Sequence, residues 1–178
     1  MQKSSKKPVS PAAAKTVAEP ELPPLPPDFN QTLAYVMTLH EGQTDKAGEP
    51  YILHLLRVSA SLRDPTDRIV ALLHDAVEDG KTTFEQLLAM GYPEFEVVTP
   101  LRFLTKGRDE PYLDFILRVA TGPDRAIRVK RKDLRDNRNL KRLPKVTKKD
   151  EVRRRKYKLA EKILTAALKM RRLLRAHE

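Results

Sequence analysis

Apolar residues recur at helical spacing along most of the chain from Asp28 onward. The first two groups are Leu33, Val36, Met37 and Leu39, and then Ile52, Leu55, Leu56, Val58 and Leu62. A period of three to four residues is typical of a helix with one buried face. Between the groups, Gly42 and Gly48 break the pattern, and Pro50 stands where the first turn of a helix tolerates proline. The pattern therefore predicts two helices joined by a turn-rich segment.

The apolar run from Ile69 to Leu73 predicts a buried helix, which Asp64 or Thr66 caps and Gly80 ends. Further helices are predicted from Thr83 and over residues 94–104, 112–120 and 124–137. The last helix, over about residues 149–174, has an apolar stripe on one face and Arg and Lys on the other. We find no alternating strand pattern and no internal repeat. The prediction is an all-α fold, a compact bundle of about seven helices.

Residues 1–27 differ in composition from the rest of the chain. They contain seven of the fourteen prolines, together with Ser, Lys and Ala. Such a segment favours polyproline II over helix or strand. We predict a disordered Pro-rich tail over residues 1–27 and one domain over residues 28–178. A role as a Pro-rich ligand for a groove-bearing domain is the alternative.

Composition excludes several kinds of chemistry. The chain has no Cys, so it has no disulfides, no zinc-thiolate site and no thiol nucleophile. It contains no run of about 18 apolar residues and therefore no predicted membrane span. Its first fifteen residues lack the apolar segment of a secretory signal. We expect a cytoplasmic protein.

The net charge of +11 is unevenly distributed. Residues 28–124 contain nine basic and sixteen acidic residues, whereas residues 125–178 contain twenty-two basic and six acidic residues. An acidic middle can hold a cation, and a basic end can meet phosphate. The basic face of the last helix predicts either a plain solvated surface or sequence-blind binding of nucleic acid.

Histidines and carboxylates suggest a metal site. His40, His54 and His74 lie on successive helical segments, and His74 is followed at once by Asp75. This pair closes the buried run of its helix, where the core meets solvent. Glu78 and Asp79 follow one turn later, and further acids occur over residues 133–136. Crowded carboxylates repel one another unless a cation or a proton relieves them. Imidazole with carboxylate is a ligand set for Mn²⁺, Fe²⁺, Co²⁺ or Zn²⁺.

Three sequence blocks resemble the HD hydrolases of the RelA/SpoT type. HEGQTDKAGEPYILH, residues 40–54, resembles that family's first motif, which ends on a metal-binding His. ALLHDAVEDG, residues 71–80, resembles its His-Asp and Glu-Asp motifs, and VKRKDLRDNRNL, residues 129–140, resembles its third block. The spacing between blocks also matches, and the resemblance covers about residues 30–170.

The resemblance implies a fold and a set of roles. The fold would be the HD-domain helical bundle of a small form that has the hydrolase domain alone. Metal ligands would be His54, His74, Asp75 and Asp133, holding one divalent ion, usually Mn²⁺. Glu78 and Asp79 would be catalytic, acting on the attacking water, while Lys46 and Asn137 would bind the nucleotide substrate. The implied reaction is removal of the 3′ pyrophosphate from (p)ppGpp in the stringent response.

Departures from the family leave other functions open. The family commonly has Arg or Lys at the position of Asp45, where it packs on guanine, and an acid cannot make that cation–π contact. One alternative is an HD phosphohydrolase of another nucleotide. The other is a non-catalytic module that binds nucleic acid through its basic helix. The residues give no prediction of oligomeric state.

Overall fold

A computed structural model of the chain describes residues 25–177. The predicted disordered tail lies outside these residues, apart from residues 25–27, which are not helical. The described chain is all-helical, without a strand; two residues, Thr44 and Pro50, form an isolated antiparallel bridge. The α-helices are α1 Phe29–Leu39, α2 Ile52–Ala60, α3 Pro65–Glu78, α4 Phe84–Ala89, α5 Thr99–Leu104, α6 Tyr112–Thr121, α7 Asp124–Asn137 and α8 Lys148–Arg175.

Short polar side chains determine where several helices begin. Asp28 and Thr83 form capping boxes with Gln31 and Gln86, which satisfies backbone N–H groups that have no partner within the helix. Asp64, and not Thr66, caps α3, with Pro65 in its first turn. Helix α8 runs close to its predicted bounds.

The predicted helix over residues 94–104 is two elements in the structure. A π-helical turn, Glu94–Val98, precedes α5. The described chain has eight α-helices, against a prediction of about seven. Pro100 has no backbone N–H and crowds the preceding turn. A wider turn before it, with the Val98 N–H donating to the Pro93 carbonyl at 3.2 Å, accommodates that loss.

Two apolar clusters form the core. The larger cluster joins α1 to α5 and includes the fully buried Leu55, Leu72 and Leu101. The smaller cluster lies between α6, α7 and α8, around Phe115 and Leu164. Helix α7 packs against α2, α3, α5, α6 and α8 and so contributes to both clusters. Its residues therefore have fixed positions relative to α2 and α3. No helix in the described range is both long and apolar enough to cross a membrane.

Candidate active site

Four predicted metal ligands meet where α2, α3 and α7 come together. His54 lies in α2, His74 and Asp75 lie near the end of α3, and Asp133 lies in α7. The His74 Nε2 lies 3.2 Å from the Asp75 Oδ2, and the His54 Nε2 lies 3.4 Å from the Asp133 Oδ1. The His54 Nε2 also lies 3.6 Å from the Asp75 Oδ2, and the His74 Nε2 lies 3.6 Å from the Asp133 Oδ1. Both imidazoles and the Asp133 carboxylate are buried.

Each imidazole is held by its other nitrogen. The His74 Nδ1 donates to the Ala71 carbonyl at 2.7 Å, and the His54 Nδ1 donates to the Asp136 Oδ2 at 2.7 Å. A proton on Nδ1 leaves the Nε2 lone pair free to bind a metal. Both Nε2 atoms are buried and have no hydrogen-bond partner among the described residues. His54, His74 and Asp75 lie close enough together to hold a divalent cation, and the Asp133 Oδ1 faces both imidazoles beside them.

The electrostatics of these four side chains also favour a bound cation. Burial opposes protonation of His54, but the carboxylates of Asp133 and Asp136 outweigh it and raise the pKa of His54 to about 9. Burial also opposes ionisation of Asp133, but Lys130 and both imidazoles hold its pKa well below the usual value. The Lys130 Nζ lies 2.8 Å from the Asp133 Oδ2. Positive charge is therefore strongly favoured between these side chains, whether carried by protons or by a metal.

Asp136 is a site residue that the sequence analysis missed. Its carboxylate accepts from the His54 ring and also from the Arg57 Nε at 2.7 Å and the Arg142 guanidinium at 3.2 Å. Burial opposes ionisation of Asp136, but these partners outweigh it and lower the pKa. Its position one helical turn after Asp133, on the same face of α7, was the available sequence signal. Only the packing of α2 on α7 shows which histidine it contacts.

Tyr51 also contacts the cluster. Its hydroxyl donates to the Asp75 Oδ2 at 2.5 Å, and its ring stacks on His40 at 5.2 Å between centroids. The His40 Nδ1 lies 2.7 Å from the Gln43 Oε1. His40 is thus a structural residue beside the site.

Glu78 and Asp79 lie at the exposed end of α3, one turn after His74 and Asp75. The Asp79 Oδ2 accepts from the Gln43 side chain at 3.2 Å. Desolvation raises the pKa of Glu78, Lys130 opposes this rise, and the Asp75 carboxylate adds to it. Neither carboxylate is among the four predicted metal ligands, but both lie on the solvent-exposed turn that follows His74 and Asp75.

A pocket of about 260 Å³ opens beside His54. Lys46 and Asn137, the two predicted substrate contacts, both line it, as do Tyr157 and Arg153. The Asn137 amide also donates to the Asp133 Oδ1 at 2.5 Å. The structure therefore brings the two predicted substrate residues to one cavity, and His54, one of the four predicted metal ligands, also lines it.

Asp45 lines the same pocket, but its carboxylate is engaged within the protein. It accepts from the backbone N–H groups of Ala47 and Glu49 and from Arg142 at 2.6 Å. Partial burial opposes ionisation, but these partners outweigh it and lower the pKa of Asp45. The Arg142 guanidinium thus lies beside Asp45, the residue that departs from the family pattern, and both line the pocket.

Known proteins resemble this chain in part. No protein-family model matches it. It is 37% identical over 79 residues to the guanosine-3′,5′-bis(diphosphate) 3′-pyrophosphohydrolase of Vibrio cholerae, covering 42% of this chain and 11% of the relative. It is 42% identical over 52 residues to the bifunctional (p)ppGpp synthase/hydrolase SpoT of Escherichia coli, covering 27% of this chain and 7% of the relative. The chain spans about a tenth of the length of these curated relatives.

A solved structure agrees over a larger share of the chain. It is described as a metazoan ortholog of SpoT that hydrolyses ppGpp and plays a role in starvation responses. The TM-score is 0.63 at 27% identity, with 79% of this chain and 84% of the other covered. The sequence and structural matches together support a resemblance to the small hydrolase domain of RelA/SpoT-type proteins.

Proposed function

We propose that this protein is a metal-dependent phosphohydrolase that removes the 3′ pyrophosphate from (p)ppGpp. The observation that carries the proposal is the pair of buried, unpartnered Nε2 atoms of His54 and His74, which face carboxylate oxygens of Asp75 and Asp133. The names of the curated relatives, and the ppGpp hydrolysis described for the metazoan SpoT ortholog, support the choice of reaction and substrate. The domain would comprise residues 28–178, following the Pro-rich tail, and would act in the cytoplasm, where nucleotide pools lie.

His54, His74, Asp75 and Asp133 would hold one Mn²⁺ ion. When bound, such an ion lowers the pKa of a water ligand and stabilises charge on a phosphoryl oxygen. Asp136 and the Ala71 carbonyl keep both imidazoles in the tautomer that ligation requires. Lys130 binds the remaining oxygen of Asp133, and Tyr51 donates to the Asp75 oxygen that faces the imidazoles, so both contacts limit rotation of a carboxylate.

Glu78 and Asp79 would handle the proton of the attacking water. A raised pKa brings the Glu78 carboxyl closer to the pH at which the enzyme works, and this suits a proton acceptor. The Asp79 carboxylate accepts a hydrogen bond from Gln43, in the first sequence block, and this contact holds it at the end of α3.

Lys46 and Asn137 would bind the substrate within the pocket. The ammonium of Lys46 neutralises phosphate charge, and the Asn137 amide reaches both the pocket and Asp133. Arg142, aligned by Asp45, adds a second cation on the wall next to Lys46. Hydrolysis of a different nucleotide is the alternative, favoured by Asp45 because an acid replaces the cation that the family places there.

A nucleotide panel tests the proposal. Purified protein with Mn²⁺ is incubated with ppGpp and, separately, with other nucleotides, and products are separated by ion-exchange chromatography. We expect GDP and pyrophosphate from ppGpp, and we expect Asp75→Asn to abolish turnover while Asp124→Asn, on the outer end of α7, does not. Turnover of another nucleotide but not ppGpp would reject the substrate. No turnover of any nucleotide by metal-loaded protein would reject the hydrolase.

A further inference from the structure

We propose a second anion site, separate from the pocket beside His54, that binds small phosphate anions carrying two or more negative charges. Its lining includes four cations, Arg63, Arg131, Lys132 and Arg172, which we call the basic pocket. Arg128, Asp64 and Asp67 line the same cavity. It shares no lining residue with the pocket beside His54. The proposal does not depend on the hydrolase reaction.

Three separate parts of the fold build the basic pocket. Arg63 follows α2, Arg131 and Lys132 lie in the middle of α7, and Arg172 lies in the last turn of α8. They surround a cavity of about 320 Å³ whose lining includes the buried Leu168. Cations from distant parts of the sequence thus converge on a concave site, whereas a plain solvated helix face spreads them apart.

The charges of the basic pocket are not neutralised inside the protein. None of its four cations has a described carboxylate oxygen within 4.0 Å, and the two acids of the lining, Asp64 and Asp67, are engaged by other arginines. Asp67 pairs with Arg125 at 2.8 Å and with Arg128 at 2.5 Å, and Asp64 caps α3 and contacts Arg125 at 3.4 Å. Glu161, which is close to α7, pairs with Arg135 and Arg138.

Burial makes the charged forms of two of these side chains less favourable. Arg131 and Lys132 are half-buried, and the Arg131 Nε has no hydrogen-bond partner among the described residues and no contact with solvent. Burial, followed by the charges of neighbouring arginines, lowers the pKa of both side chains. A multivalent anion would relieve the repulsion and supply an acceptor.

Phosphate anions match the chemistry of the pocket. Guanidinium groups bind phosphate oxygens in a bidentate manner, and three of the four cations are arginines. The cavity is concave and of limited volume, so it suits pyrophosphate or the polyphosphate of a nucleotide better than an extended nucleic-acid backbone. We therefore argue for a small anion, and nucleic-acid binding becomes an outcome of the test.

The experiment follows the arginine Nε–H resonances of the full, metal-free chain by NMR during titration with pyrophosphate at low salt. We expect the resonances of Arg63, Arg131 and Arg172 to shift together and to saturate with one Kd. In Arg131→Gln/Lys132→Gln, the Kd measured at Arg63 and Arg172 should rise at least tenfold. Because half-buried Arg131 also packs, Arg63→Gln serves as a second variant that removes only an exposed cation, with an expected rise of threefold or more.

A matched control removes two exposed cations elsewhere on α8, as Arg155→Gln/Lys158→Gln, and should leave the Kd within twofold of wild type. Non-saturating shifts, or equal weakening in the control, would overturn the proposal because binding would then follow net charge alone. A parallel titration with a short single-stranded RNA separates the two ligand classes. The small-anion site is also rejected if RNA shifts these resonances and pyrophosphate does not. Since no metal is present, the result is independent of whether the protein hydrolyses ppGpp.

Discussion

Replacing Asp136 with Asn should weaken metal binding without removing any ligand. The carboxylate serves three donors at once, since Oδ2 accepts from His54 and Arg142 while Oδ1 accepts from the Arg57 Nε. An amide offers one acceptor oxygen, and guanidinium groups can only donate. If that oxygen stays with Arg57, the amide NH₂ faces the His54 Nδ1 and favours the tautomer whose Nε2 carries a proton. If it stays with His54, the charge that makes the imidazole basic is lost.

Either outcome lowers the affinity of His54 for a divalent ion. Loss of a partner that orients a metal-binding histidine typically costs 10- to 100-fold in metal affinity. That range corresponds to about 1.4–2.8 kcal/mol, because each tenfold change in affinity is about 1.4 kcal/mol. His54 is buried, and its Nδ1 lies 2.7 Å from the Asp136 Oδ2. We therefore expect the loss of metal affinity in Asp136→Asn to fall within this range.

Isothermal titration of metal-free protein with Mn²⁺ at neutral pH measures the change. Asp124→Asn is the matched control, because Asp124 lies on the same helix, is held by Arg171 and Arg175, and contacts no imidazole. We expect its Kd within twofold of wild type. The reasoning is refuted if Asp136→Asn binds Mn²⁺ as tightly as wild type. It is equally refuted if the control weakens as much, since the effect would then be one of general stability.

Two further predictions concern the scaffold. Glu110 contacts Arg118 at 2.7 Å, and this hydrogen bond, opposed by slight burial, lowers the pKa of Glu110 from 4.5 to about 2. A depressed pKa contributes stability above about pH 4.5 that is lost as pH falls towards 2. Glu110→Gln should therefore lower the free energy of unfolding by about 1 kcal/mol at pH 7. Urea melts at pH 7 and pH 3 check this, and an equal loss at both would contradict it. Gly122→Ala would place a Cβ within 3.0 Å of the Phe103 ring, so we expect about 1–3 kcal/mol of destabilisation by thermal melts. At Gly107 the nearest atom is 3.4 Å away, so Gly107→Ala is the control, and similar losses in both would contradict the packing argument.

Local sequence pattern predicted most of the helices. The apolar period over residues 52–62 and 69–73 marks the buried faces of α2 and α3, because a helix must bury the side that lacks polar groups. The helix predicted over residues 94–104 has these bounds in the structure, but its first part is a π-helical turn that precedes Pro100. Periodicity alone does not distinguish a continuous helix from one interrupted in this way.

The sequence by itself determined which side chains could hold a metal, because His54, His74, Asp75 and Asp133 stand in three recognisable blocks, and it determined a helical scaffold to carry them. Only the tertiary structure decided how these candidate ligands are supported. Asp136 contacts a histidine 82 positions away, and Arg142 contacts Asp45 across 97 positions. The basic pocket likewise draws its cations from α7, α8 and the segment after α2. Contacts of this kind arise from the packing of distant helices, and a periodicity of three or four residues carries no information about them.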